Sequence, residues 1–274
     1  MATIDPEIGK NVVAAGIATN YLEAGEGEPL VLVHGSGPGV TGYANWRFTI
    51  PPLSKRFRVL APDVAGFGYT ERKPGTTYNL DFWVKHLLGF LDALGIKKAH
   101  FVGNSFGGGL TLAFAARHPD RVNKFVLMGA AGTNFRLTPE LDAVWGYEPS
   151  VENMRKMVQT FAYDASFMTD DLIRSRYEAS IRPGFHESYS QLFQAPRARH
   201  IQALRTPDEA IRAIPHRVLI VHGRDDRIVP LESSLMAHNM IANSELHVFG
   251  QCGHWTQIEK KDRFNRLIEE FFLN

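Results

Sequence analysis

The stretch GNSFGGG, residues 103–109, sets Ser105 between Gly103 and Gly107 in the pattern G-x-S-x-G. It follows the apolar run AHFV and precedes TLAFAARHPD, so the serine stands where a strand passes into a helix. Glycines at both flanks relieve the clashes of so tight a turn and push the hydroxyl out above the sheet. A serine hydroxyl becomes an effective nucleophile only beside a base. Of the eleven histidines, His254 in CGHWTQIE follows the last predicted strand and falls at the same sheet edge as Ser105. His34, in VHGSGPG, is the competitor, and is assigned to anchoring its glycine loop by hydrogen bonds. The base needs an acid to fix its tautomer and steady its charged form. HGRDDRIVP offers Asp225 and Asp226 after the strand RVLIVHG, and spacing leaves the choice between them open. The order serine, aspartate, histidine along the chain fits a hydrolytic triad.

Negative charge developing on a reacting carbonyl needs donors. The amide of Phe106 opens the helix after the nucleophile, and HGSGPG (34–39) presents the amide of Ser36 or Gly37 as its partner. That loop lacks both G-x-x-x-x-G-K-[ST] and G-x-G-x-x-G, so no nucleotide is expected there. No His/Cys/Asp cluster has metal-ligand spacing, so neither a metal nor another cofactor is expected.

These groups need a scaffold that brings them to one edge. LVLVHG (30–35), FRVLAPD (57–63), AHFVGNS (99–105), KFVLMGA (124–130), RVLIVHG (217–223) and LHVFG (246–250) are near-continuous apolar runs. Such runs suit strands buried on both faces of a parallel sheet. Trp83, Leu87, Leu91 and Leu94 recur at helical spacing before Gly95, and Phe264, Leu267, Ile268 and Phe271 mark an amphipathic terminal helix. NVVAAGIATNYLEAG predicts an antiparallel hairpin at one sheet edge. The expectation is an α/β fold, a mostly parallel central sheet flanked by helices. From Thr133 to Arg205 no sheet-like run occurs, and Met, Tyr, Phe and Arg are frequent. This predicts a helical lid over residues 133–205, inserted into a core of residues 1–132 and 206–274.

At 274 residues, 44% hydrophobic and 22% charged, the chain can enclose a sizeable core. A net charge of +1 without charge blocks gives no footing for nucleic acid or an anionic membrane. No apolar stretch approaches the ~20 residues of a membrane-spanning helix. Cys252 is the one cysteine, and MATIDPEIGK lacks a signal-peptide pattern, so a cytoplasmic location is expected.

Taken with HGSGPGVTGYANWR, VLMGAAGTNF, WGYEPSVENMRKM, RYEASIRPGFHES and LHVFGQCGHWTQIEK, these motifs resemble the meta-cleavage product hydrolases of the α/β-hydrolase superfamily. Those enzymes break carbon–carbon bonds in aromatic degradation. The similarity covers essentially the whole chain, and is nearest the 2-hydroxymuconate semialdehyde and monoalkylbenzene-pathway branch. The resemblance implies that Asp226 is the triad acid and Asp225 its neighbour. It implies substrate-binding roles for Asn45, Asn104, Arg182 and Trp255, with Arg182 meeting the carboxylate or 2-oxo end of an anionic dienoate. It also implies a homo-oligomer. An esterase of the same fold shares the triad, and a ligand receptor on a hydrolase scaffold would tolerate its loss. A dehalogenase would want a carboxylate in place of Ser105.

Overall fold

The computed structural model describes residues 5–274, so the first four residues of the MATIDPEIGK reading lie outside the described residues. Eight strands form one sheet in the order β1-β2-β4-β3-β5-β6-β7-β8. The parallel part comprises β3 (Glu28–Val33), β4 (Phe57–Pro62), β5 (Ala99–Asn104), β6 (Val122–Met128), β7 (Val218–Gly223) and β8 (Ser244–Phe249). The expected hairpin, β1 (Lys10–Ala14) and β2 (Ile17–Ala24), pairs antiparallel and lies antiparallel against β4.

Every residue of β5 and β7 is buried, which explains why their sequences show no polar alternation. Side chains still alternate between the two faces. Val31, Phe101 and Ile220 join the core beneath the helices Leu80–Ala93 and Phe106–Arg117. Leu30, Val102 and Leu219 join the core beneath the terminal helix Lys261–Leu273, through Phe264, Ile268 and Phe271. Asn79 caps Leu80–Ala93 by accepting from Phe82 N, and Gly95, at φ +67°, turns the chain out of that helix. Register sets Val33 beside Gly103, Asn104 beside Met128 and Gly223 beside Phe249. The loops that follow these strands therefore open at one edge.

Between β6 and β7 the chain forms the helices Pro139–Trp145, Val151–Phe161, Asp170–Ser180, Phe185–Leu192 and Ala198–Ala203. Thr138, Ser150 and Thr169 cap the first three through their hydroxyls. The excursion closes on itself, since Thr206 N donates to Gly132 O at 2.9 Å. No helix among the described residues is long and apolar enough to cross a membrane.

Buried polar groups tie the edge loops down. Val64 N donates to His34 Nε2 at 2.9 Å, so His34 carries its proton on Nδ1, 2.7 Å from Gly35 O. Asp63 accepts from Gly42 N at 2.6 Å, Tyr69 N at 2.8 Å and Asn20 Nδ2 at 2.8 Å. His86 Nε2 lies 2.8 Å from Thr19 Oγ1, joining helix Leu80–Ala93 to β2. Burial lowers His34 and His86 to about 4 and raises Asp63 to about 6.

The histidines and Asp63 act on stability with opposite sign. An unfolded histidine protonates before the buried one, so His34 and His86 stabilise fully above about pH 6.5, and that contribution is lost toward pH 4. Asp63 binds its proton more tightly when folded, and so gains stability as pH falls through about 6. From pH 7 to pH 5 each histidine costs roughly 2 kcal/mol and Asp63 adds about 1 kcal/mol. Urea unfolding at the two pH values is expected to show a net loss, and His86→Gln should make that loss smaller by about 2 kcal/mol.

Candidate active site

Ser105 has φ 55° and ψ −118°, a backbone conformation that L-residues rarely adopt. Three hydrogen bonds hold it: Ser105 N to Met128 O at 2.9 Å, and Ala131 N and Gly109 N to Ser105 O at 3.0 and 3.1 Å. A Cβ on Gly103 would strike the carbonyl of Gly107, and one on Gly107 would strike the carbonyls of Val33 and His34. Both glycines of the motif are therefore required by close backbone approach.

His254 Nδ1 lies 2.7 Å from Asp226 Oδ2, with both side chains almost fully buried. The other Asp226 oxygen accepts from Ile228 N at 2.8 Å and Val229 N at 3.0 Å. With its proton on Nδ1 facing the carboxylate, His254 keeps Nε2 as a free base. Asp225 is turned away: it receives Cys252 N at 3.3 Å and lies beside Arg224. Asp226, the aspartate that the resemblance implies, is thus the one that meets His254. His34 anchors its loop, also as expected.

Ser105 and His254 share the wall of a cavity with Gly35, Ser36 and Gly37. The amides of Ser36, Gly37 and Phe106 enter none of the hydrogen bonds of the surrounding turns, as oxyanion donors require. Gly35 N is instead occupied by Asn45 Oδ1 at 3.2 Å. The insertion supplies an apolar wall through Leu141, Val144, Met154, Val158 and Phe161. Polar groups gather around the 34–47 segment. Asn45, Arg47, Asn104 and Gln257 line the cavity, and Arg176 reaches it from the helix Asp170–Ser180.

The insertion also touches the catalytic loops directly. His254 N donates to Phe161 O at 2.7 Å, and the Phe161 ring stacks on Trp255 with centroids 4.8 Å apart. Glu259 takes Gly253 N at 2.7 Å on one oxygen and Tyr163 N at 2.9 Å on the other. Trp145 Nε1 donates to Ser36 Oγ at 3.1 Å.

Of the residues expected to bind substrate, Asn45, Asn104 and Trp255 line the cavity. The buried Nδ2 of Asn45 has no protein partner and is free to meet a ligand oxygen. Arg182 is the exception. Its guanidinium is held by Glu7 at 2.7 Å and by Asp5 at 3.7 Å, and lies over the rings of Tyr69 and Phe185. It does not line the cavity; Arg176 does. Leu172 and Arg176 both line it, four residues apart on one helix, so helical spacing from an apolar lid position was the signal that could have selected Arg176. The sequence reading also missed Arg47, Gln257 and His222. The last is fully buried on β7, with Nε2 3.0 Å from Val229 O and 3.4 Å from Asp226 Oδ2, and Nδ1 2.7 Å from Ser234 Oγ. Since Val229 O can only accept, His222 carries its proton on Nε2 and steadies the acid loop.

The chain is similar to known proteins over nearly its whole length. The model of the alpha/beta hydrolase fold matches residues 28–261. A 2-hydroxymuconate semialdehyde hydrolase of Pseudomonas sp. (strain CF600) is 55% identical over 266 residues, 97% of this chain and 94% of the relative. A 2-hydroxy-6-oxo-2,4-heptadienoate hydrolase of Pseudomonas putida strain F1 is 56% identical over 271 residues, 99% of this chain and 98% of the relative. A solved meta-cleavage product hydrolase from Pseudomonas fluorescens IP01 superposes with a TM-score of 0.97 at 59% identity, covering 98% of each chain. The G-x-S-x-G turn, the buried histidine–aspartate pair and this whole-chain similarity together place the chain in the α/β-hydrolase fold and, within it, among the meta-cleavage product hydrolases.

Proposed function

We propose that this carbon–carbon bond hydrolase acts on 2-hydroxy-6-oxohexa-2,4-dienoates bearing hydrogen or a small alkyl group at carbon 6. The products are 2-hydroxypenta-2,4-dienoate and a short carboxylic acid. The observation that carries this reading is the guanidinium of Arg176 in a cavity whose lid wall is apolar, beside Ser105 and His254. An anionic head needs a cation, and a conjugated chain needs an apolar wall.

Carbon is a poor leaving group unless its electrons have somewhere to go. A proton moved onto carbon 5 turns the dienol into a 2,6-dioxo form. Breaking the bond between carbons 5 and 6 then releases its electron pair into the conjugated enol. Arg176, rather than Arg182, receives the carboxylate, with Asn104 and Asn45 on the neighbouring oxygens. At carbon 6, His254 Nε2 takes the proton of the attacking hydroxyl, from Ser105 or from a water. Asp226 steadies the imidazolium, and the amides of Phe106 and Ser36 or Gly37 receive the oxyanion. Residues 133–205 serve as the lid that closes the cavity over the dioxo intermediate.

Stopped-flow absorbance with enzymatically prepared 2-hydroxymuconate semialdehyde and its 6-methyl homologue tests the reading. Loss of the yellow dienolate with release of formate or acetate is expected. Unchanged colour alongside ready cleavage of p-nitrophenyl acetate would return the protein to the esterases. Ser105→Ala should cut turnover by about a thousandfold or more while the dienoate spectrum still shifts on mixing. Arg176→Ala should raise KM for the dienoate by about tenfold or more, well beyond the effect of Arg182→Ala, in steady-state kinetics. The reverse order would restore Arg182 to the site.

A further inference from the structure

The cavity face of Arg176 is set by groups that lie outside the lid. Its Nη2 donates to Gly39 O at 2.5 Å, and its Nη1 lies 3.7 Å from Glu7 Oε1. The other oxygen of Glu7 accepts from Arg182 Nη1 at 2.7 Å. One carboxylate thus faces two arginines of the insertion, each through its own oxygen. Glu7 comes from the segment ahead of β1 and is only 8% exposed. That segment is fastened to the core: Asn20 Nδ2 donates to Glu7 O at 2.9 Å, and Gly9 N donates to Asn20 Oδ1 at 2.9 Å. Asp5 adds a second anion, taking Tyr69 OH at 2.8 Å while lying 3.7 Å from Arg182 Nη2.

A buried carboxylate between two guanidiniums does two things. It fixes Arg182 through a charge-assisted hydrogen bond and draws Arg176 toward the same carboxylate by charge at 3.7 Å. It also sets how much positive charge is left for a ligand. Arg47 and Arg176 line the cavity and Arg182 stands behind it, while Glu7 faces Arg176 and Arg182 and Asp5 faces Arg182. Three cations against two anions leave one positive charge uncompensated, which suits a single carboxylate.

We propose that Glu7 is a positioning and specificity residue of the anion site: it holds Arg176 against the cavity wall and limits the free charge there to that of one guanidinium. The inference rests on Arg176 being the partner of the substrate carboxylate. Glu7 itself touches no reacting atom, so its effect should appear in the binding of the anionic substrate and far less in chemistry at Ser105.

The test compares Glu7→Ala, Glu7→Gln and Glu7→Asp in the full-length enzyme, with the dienoate and with p-nitrophenyl acetate, which has no carboxylate. For Glu7→Ala, KM for the dienoate should rise about tenfold while kcat falls by less than about threefold. Its ester kcat/KM should fall much less than its dienoate kcat/KM. Glu7→Asp, which restores a carboxylate, should recover part of the dienoate KM, and recover more than Glu7→Gln. An unchanged dienoate KM in Glu7→Ala overturns the inference, as does an equal loss on both substrates, which would mark a purely structural role. Wild-type enzyme that cleaves the ester but not the dienoate, or an Arg176→Ala enzyme with unchanged dienoate KM, would overturn the underlying reading and this inference with it.

Discussion

A single backbone conformation governs the arrangement above the sheet. Ser105 sits at φ 55°, where a residue with a side chain is strained by about 1–3 kcal/mol. It stays there because its own N–H and C=O are tied to Met128, Ala131 and Gly109, and because β3 and the next helix turn approach too closely for any Cβ at Gly107. The same crowding sets the carbonyls of Val33 and His34 against the start of that helix, with Ser36 and Gly37 beside Ser105 on the cavity wall. The turn at Ser105 and the course of the 34–39 segment are thus two results of one packing constraint. Parallel pairing in register does the rest, by delivering the acid and base loops from β7 and β8 to the same edge.

The electrostatics of the site divide along its two ends. Around His254 the partners are neutral or singly charged and fully enclosed: Asp226, two backbone amides and the neutral His222. Burial there favours a fixed tautomer over a mobile charge. At the other end, arginines and carboxylates meet in a network that a lone buried guanidinium could not survive without counterions. One end thus carries an enclosed histidine–aspartate pair and the other a cluster of arginines and carboxylates.

Much of this was legible in the sequence. The six parallel strands, the edge hairpin and the helical insertion follow from apolar runs and their interruptions, because local burial decides those patterns. The order of Ser105, an aspartate of the 225–226 pair and His254 was readable for a similar reason: strand ends in a parallel sheet converge without any need for side-chain detail. Distant pairings were not readable. Asp225 and Asp226 differ only in which way a turn points them, and the resemblance rather than spacing chose between them. Arg182 and Arg176 lie six positions apart on one stretch, and the deciding group, Glu7, is more than 160 residues away in the chain. Periodicity carries no information about such a partner. The buried His222 was hidden in a run that reads simply as strand.

The insertion and the loop that carries His254 are joined at several points. His254 N is bonded to Phe161 O, Trp255 stacks on the Phe161 ring, and Glu259 joins Gly253 to Tyr163. A Cβ on Gly253 would meet the backbone of Tyr163, so no clearance exists between the two segments. Any movement that carried the helix Val151–Phe161 away from the sheet would pull on the base or break these bonds. The helix Asp170–Ser180, by contrast, is tied to the core through Arg176, with Arg182 just beyond its end, onto Gly39 and Glu7. The insertion is thus joined to the sheet edge in two ways, by backbone hydrogen bonds and ring stacking on the Phe161 side and by charged contacts on the Arg176 side. Only the second kind depends on the charge of its partners.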